Sequence, residues 1–320
     1  MKHIGGFFEL EIPKGSGPLH GDAIPLSTGR AAILATLLAK KPKRLHVPFY
    51  ICNTVLEQAA IAGVAPVFYA LDRELHAAPL PKVEADDMLL VVNYFGLQSA
   101  HSTRLGAQFG EQCIVDNTQA FFEPATAGCW TIYSARKYFG VPDGAYLYAP
   151  HTIEIDRRIP ATPDVRHLLN RLAGRQQTAY RQCRAYEAGL SGDIREMSVI
   201  SQRLLSAFDY PAASGRRREN FQELHKSLAD VNQFSATMDA TATPMCYPLL
   251  LPEVADRAAI AKHKLYIPTI WQDVIDRQSS SFPFERDFAA RLLPLPIDQR
   301  YGLSDMRDLL RRLRRAGVIN

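Results

Sequence analysis

The sequence predicts an α/β protein: a three-layer domain on a mostly parallel sheet, followed by a smaller C-terminal α+β domain. Three observations carry this. Through the first half, short apolar runs alternate with helix-period segments of about ten residues, as parallel strands joined by crossover helices require. From about 153 to 230 the chain turns helix-rich and strongly charged. The last third then offers short apolar runs marked by proline. The expected division is a large domain over 1–210 and a small one over 211–320.

Each element has its own signal. "STGRAAILATLLAKK" opens on a Ser-Thr cap and repeats apolar residues at helical spacing, at Ile33, Leu34, Leu37 and Leu38. "RLHVPF" reads as a strand, "NTVLEQAAIAG" as a helix stopping at Gly63, and "APVFYALD" as the next strand. "MLLVVNYFG" has the unbroken apolar run of a strand buried on both faces. "SAHSTRLGAQFG" follows as a helix, then "CIVDN", "CWTIYS" and "GAYLYAP" as strands. In the C-terminal part, "MCYPLLL", "LYIPTIW" and "LLPLPID" are expected strands. The final helix, from Ser304, sets Met306, Leu309, Leu310 and Leu313 on one face and its arginines on the other.

Composition narrows the class. At 320 residues, 47% hydrophobic and 22% charged, the chain can bury a sizeable core. A net charge of +4 is too mild for a nucleic-acid binder, though it suits an anionic small ligand. The five cysteines (Cys52, Cys113, Cys129, Cys183, Cys246) form no CxxC pair, which points away from zinc or a disulfide framework and toward a reducing cytoplasm. The first fifteen residues lack a signal-peptide core, and no apolar run is long enough to span a bilayer. His20, His101 and His263 have no partner at metal-ligand spacing, so no metal is expected.

Ligands of such sheets sit beyond the carboxyl ends of the strands. Asp116 ends "CIVD", Ser134 and Lys137 end "WTIYSARK", and "LSTGR" opens the first helix. An acid, a lysine, a hydroxyl and a glycine-bearing helix N-terminus therefore share one rim. A pyridoxal phosphate site asks for this set: a lysine for the imine, a carboxylate for the pyridine nitrogen, and anion-binding groups for the phosphate.

The order S/T-G, P-x-Y, D-x-x-Q-A and S-x-x-K resembles that of the fold type I pyridoxal-phosphate aminotransferases. "DNTQAFF" is most similar to the DegT/StrS group of nucleotide-sugar aminotransferases. "GVAPVFYALD", "RRRENFQELHKSL", "LYIPTIW" and "LPIDQRY" extend the likeness over nearly the whole chain.

The resemblance implies roles residue by residue. Lys137 would hold pyridoxal 5'-phosphate and shuttle the proton at the substrate carbon. Asp116 would pair with the ring nitrogen and Gln119 would lie toward the phenolic oxygen. Ser134, Thr28 and the amides around Gly29 would hold the phosphate, with the first helix's dipole assisting. Arg30 stands where the family commonly has a small hydroxyl residue and offers a cation to the phosphate. The residue covering the ring is either Tyr50 or Cys52. In "GVPDGAY" the chain keeps Asp143 and Gly144 of the family's turn after the lysine.

The implied activity is transfer of an amino group from glutamate to a keto sugar on a nucleotide, in surface polysaccharide or secondary-metabolite synthesis. A pyridoxal-phosphate dehydratase or lyase, or a non-catalytic pyridoxal-binding regulator, stays open at this point. The family also implies a homodimer. Leu168, Leu169, Leu172, Met197, Val199 and Ile200, set among arginines, suit an isologous contact.

Overall fold

The computed structural model describes residues 5–156, 163–190 and 192–320. The expected helix-rich span therefore includes 157–162 and Ser191, which lie outside the described residues, as do the first four of the N-terminal stretch.

The N-terminal half runs β1 (Ile24–Leu26), α1 (Gly29–Lys40), β2 (Arg44–Pro48), α2 (Asn53–Ile61), β3 (Ala65–Tyr69), β4 (Asp87–Val92), α3 (Ser99–Phe109), β5 (Cys113–Asp116), β6 (Trp130–Ser134) and β7 (Ala145–Tyr148). Four helices follow: α4 (Arg166–Leu172), α5 (Gln176–Ala188), α6 (Val199–Ala207) and α7 (Tyr210–Leu228). The remainder is β8 (Cys246–Leu250), α8 (Arg257–Lys262), α9 (Gln272–Asp276), α10 (Pro283–Arg291), β9 (Leu292–Pro296) and α11 (Leu303–Arg315).

The seven-stranded sheet has the order β1-β7-β6-β5-β4-β2-β3. Strands β2 to β6 pair in parallel, while β7 runs antiparallel to both β6 and β1. All six residues of β4 are buried, as its apolar run predicts for a strand covered on both faces. Strands β8 and β9 form a separate antiparallel pair, from Cys246 opposite Pro296 to Leu250 opposite Leu292. One apolar core runs from the large sheet through α7 to β8, β9 and α11. A second cluster gathers Phe121, Tyr133, Phe139, Met197, Leu205 and Tyr210 around the connection after β6.

Local chemistry sets the helix ends near the rim. The Thr28 hydroxyl accepts from the Ala31 amide at 3.1 Å and starts α1. Asp209 does the same for α7 through the Ala212 amide. Helix α11 buries the four apolar residues expected of it.

Three elements depart from expectation. "LYIPTIW" forms no strand: 264–270 is irregular, and Trp271 takes a left-handed conformation (φ 58°) at the entry to α9. Pro268 has no N–H to give a ladder. Strand β1, three residues long, is too short to show a period in sequence. The apolar run of β4 also ends earlier than expected, at Val92. "YFG" after it forms a 3-10 turn with Phe95 at φ 58° and Gly96 at φ 73°.

Candidate active site

The carboxyl ends of β4, β5 and β6 and the N-terminus of α1 meet on one rim. Strand β5 ends at Asp116, which is 5% exposed. Its Oδ1 accepts from the Thr118 amide at 2.9 Å, so the chain turns back over its own carboxylate. Beyond β6, a 3-10 turn over Ala135–Lys137 carries the lysine around to the same place. Lys137 Nζ donates to Thr118 Oγ1 at 2.8 Å. A methyl-sized group added to Gly29 would lie 3.7 Å from Thr118 Cγ2, so the first turn of α1 is beside the same threonine. Thr118 thus joins acid, lysine and helix terminus.

Lys137 is exposed at this rim rather than enclosed in a dry pocket, and the acid lies buried beneath it. The Gly29 and Arg30 amides, first in α1, have no acceptor within the helix, and its first turn holds no acid. This positive terminus suits an anion. Ser134 closes β6 opposite Ala145 and keeps part of its surface. Arg30 sends Nη1 to the Leu190 carbonyl at 2.7 Å, so its guanidinium lies along the segment after α5.

Packing separates Tyr50 from Cys52. Tyr50 is fully buried, stacked on Tyr94 with centroids 5.4 Å apart and edge-on to Trp271 and Phe288. Its side chain shows no surface at the rim. Cys52 keeps some exposure and feels both Lys137 and Asp116. Burial pushes its thiol above the ordinary range, against the pull of the Lys137 ammonium. Gln119 is buried, with Oε1 accepting from the Phe95 amide at 2.9 Å.

Asp143 and Gly144 brace the turn after the lysine. Asp143 accepts from the Ser198 amide at 2.9 Å, the Ser198 hydroxyl at 2.6 Å and the Ser201 hydroxyl. Gly144, at φ 132°, donates to the Ser27 carbonyl at 2.7 Å, and its carbonyl accepts from Ala135 at 3.0 Å. A side chain there would meet Ala135 Cβ at 3.4 Å in a conformation that favours glycine.

Thr118 sits inside D-x-x-Q as a spacer and carries no sequence signal of its own. Arg277 likewise has no signal in sequence; its guanidinium binds the Phe49 and Ile51 carbonyls and Asn53 Oδ1, holding the loop that carries Cys52. His101 is not isolated: it stacks on His76 with ring centroids 4.1 Å apart. Among the described residues, no group of three metal-ligating side chains converges.

The fold is the three-layer architecture seen in fold type I enzymes. The particular likenesses are to solved sugar aminotransferases. A putative sugar aminotransferase, Spr1654 from Streptococcus pneumoniae in its PLP form, superposes with a TM-score of 0.67 at 12% identity, covering 93% of this chain and 88% of that one. S. venezuelae DesV, solved with a ketimine intermediate, gives 0.61 at 15% identity over 93% of this chain and 85% of its own. A DegT DnrJ EryC1 StrS aminotransferase from Brucella abortus gives 0.59 at 14%, covering 91% and 85%. No family model and no curated protein matches the sequence. At these identities the likeness establishes the shared fold.

Proposed function

We propose that this chain is a pyridoxal-phosphate-dependent aminotransferase acting on a keto sugar carried by a nucleotide, with glutamate as amino donor. The observation that carries the reading is the Lys137–Thr118–Asp116 contact at the N-terminus of α1. The donor set fits the cofactor: an amine, a buried carboxylate two residues before the amine's partner, and a helix terminus with open amides. The names of the structural neighbours support the sugar as substrate class.

Pyridoxal phosphate, when bound, supplies an aldehyde for the lysine and a ring that takes up electrons from the substrate carbon. Asp116 would hold a proton on the ring nitrogen, its carboxylate kept in place by the Thr118 amide. The Gly29 and Arg30 amides and Ser134 would bind the phosphate, with Thr28 fixing the helix start. Cys52 would cover one ring face. Lys137 Nζ would hold the cofactor and move the proton at the substrate carbon, and Thr118 Oγ1 would orient it.

A homodimer in the cytoplasm is part of the same reading. It is supported by apolar side chains exposed on α4 and α5, where Leu169 is 55%, Leu172 87% and Tyr180 67% exposed. Val199, 65% exposed on α6, fits this surface too. Met197 does not, since it is buried in the second cluster.

The test is addition of glutamate to the cofactor-loaded protein. Conversion of the bound cofactor to its amine form, with release of 2-oxoglutarate, supports amino transfer. Retention of the aldehyde form with turnover of a keto-sugar nucleotide supports a lyase instead.

A further inference from the structure

Arg217 lies in the middle of an arginine run on α7, yet it is 1% exposed and its hydrogen-bond partners are neutral. Nη2 donates to the Tyr138 carbonyl at 3.2 Å and Nη1 to the Met245 carbonyl at 3.0 Å. Nε donates to Gln299 Oε1 at 3.0 Å, and Gln299 Nε2 donates to the same Tyr138 carbonyl at 2.9 Å. The guanidinium also lies over the Tyr138 ring, 4.4 Å from its centroid.

These bonds continue into the rim. The Tyr138 hydroxyl donates to the Gln119 carbonyl at 2.5 Å. Gln119 Oε1 accepts from the Phe95 amide, and the Phe95 carbonyl accepts from the Met245 amide at 2.8 Å. Since the Met245 carbonyl is held by Arg217, the circuit closes. It passes through Arg217, Tyr138, Gln119, Phe95 and Met245, all buried or nearly so. It ties the loops after β4, β5 and β6 to the start of β8.

Tyr138 follows Lys137, and Gln119 follows Thr118. The circuit therefore grips the neighbour of each partner in the Lys137–Thr118 hydrogen bond. Phe95 holds a left-handed conformation that a bulky residue adopts only when its surroundings require it, and here its amide and carbonyl are both links of the ring. A buried guanidinium whose hydrogen bonds all go to neutral groups is costly, and Asp298 offsets that burial only through its field.

We infer that Arg217 is a positioning residue: through this closed circuit it sets where Lys137 stands relative to Thr118 and Asp116, and links that geometry to the C-terminal segments. The inference rests on reading Lys137 as the reactive lysine, but its test needs no cofactor. The rate of acetylation of Lys137 is followed against pH in the cofactor-free full chain, with exposed Lys82 as internal reference. Wild type is compared with Arg217→Lys, Tyr138→Phe and the double variant. Tyr138→Phe keeps the ring and breaks only the bond to Gln119, so it carries the test if the arginine variant does not fold.

The expected result is a change of about tenfold in Lys137 reactivity relative to Lys82 in each single variant, with little added in the double, as for residues in one network. Profiles of Lys137 that superpose on wild type while the melting temperature falls would overturn the inference and leave Arg217 a structural pin. Single effects that simply multiply in the double would overturn the circuit. Failure of the cofactor reading shows separately, as wild type that does not bind pyridoxal phosphate at Lys137, and leaves the labelling comparison intact.

Discussion

Replacing Asp143 with alanine removes the acceptor that joins the turn after Lys137 to the start of α6. Three donors lose their partner: the Ser198 amide and the hydroxyls of Ser198 and Ser201. A hydrogen bond to a charged group contributes about 1.5–3 kcal/mol. The two hydroxyls already lie 3.2 Å apart and can turn to each other, so their loss is partly recovered. The buried amide has no such alternative, and α6 also loses a negative charge at its N-terminus, worth about 0.3–1 kcal/mol. The sum is about 3–5 kcal/mol, or a fall of ~4–7 °C in melting temperature for 320 residues at about 2.1 cal/mol/K each. Asp143→Asn keeps an oxygen for the Ser198 amide and an NH₂ that both hydroxyls can accept, so it costs about 1–2 kcal/mol. Urea unfolding followed by circular dichroism gives both values. Hydrogen exchange across 138–144 and 198–201 then shows whether both segments loosen together. An alanine variant within ~1 kcal/mol of wild type, or an asparagine variant as unstable as alanine, would refute the reasoning.

Four further outcomes are expected. His20 is buried, with Nε2 2.8 Å from the Phe121 carbonyl, and burial lowers its pKa from 6.5 to about 4. The unfolded chain therefore binds a proton that the folded chain refuses between those values. The contribution is full above about pH 6.5 and lost as pH falls toward 4, by about 3 kcal/mol in all. His20→Gln should flatten that part of the stability–pH curve, and an unchanged slope would contradict it. Among the described residues the buried Tyr50 hydroxyl has no hydrogen-bond partner, so Tyr50→Phe should leave stability unchanged or raise it by about 1 kcal/mol and spare cofactor binding; lost affinity would place Tyr50 in the site. Asp116→Asn can still accept from Thr118 and should fold, yet lose about a thousandfold in turnover, a barrier of about 4 kcal/mol; a loss of only a few-fold would make the acid a structural cap. Sedimentation at micromolar concentration should show a homodimer, and an active monomer would mean each site is self-contained.

Much of the rim was legible because each of its parts terminates an element with a clear period. Asp116, Ser134 and Lys137 stand where apolar strand runs end, and Thr28 stands where a helical repeat begins. What stayed hidden depends on tertiary packing. Tyr50 and Cys52 follow β2 in a bend, so strand alternation could not say which one faces the rim. Thr118 has no signal beyond its place between Asp116 and Gln119. Arg217 did have one: with Phe221, Leu224 and Leu228 it repeats at i, i+4, i+7 and i+11, the buried face of α7. The surrounding arginines masked it, since charge runs usually mark solvated faces. "LYIPTIW" has strand-like composition, but composition does not provide a neighbouring strand, and among the described residues none pairs with it.

The central claim is that Lys137 is the residue that carries pyridoxal phosphate. It is tested most directly by reducing the cofactor-loaded protein with borohydride, digesting it, and locating the fixed label by mass spectrometry. One labelled peptide is expected, with the pyridoxyl group on Lys137, and none in Lys137→Ala. A label on another lysine, or a wild-type protein that takes up no pyridoxal phosphate, would contradict it.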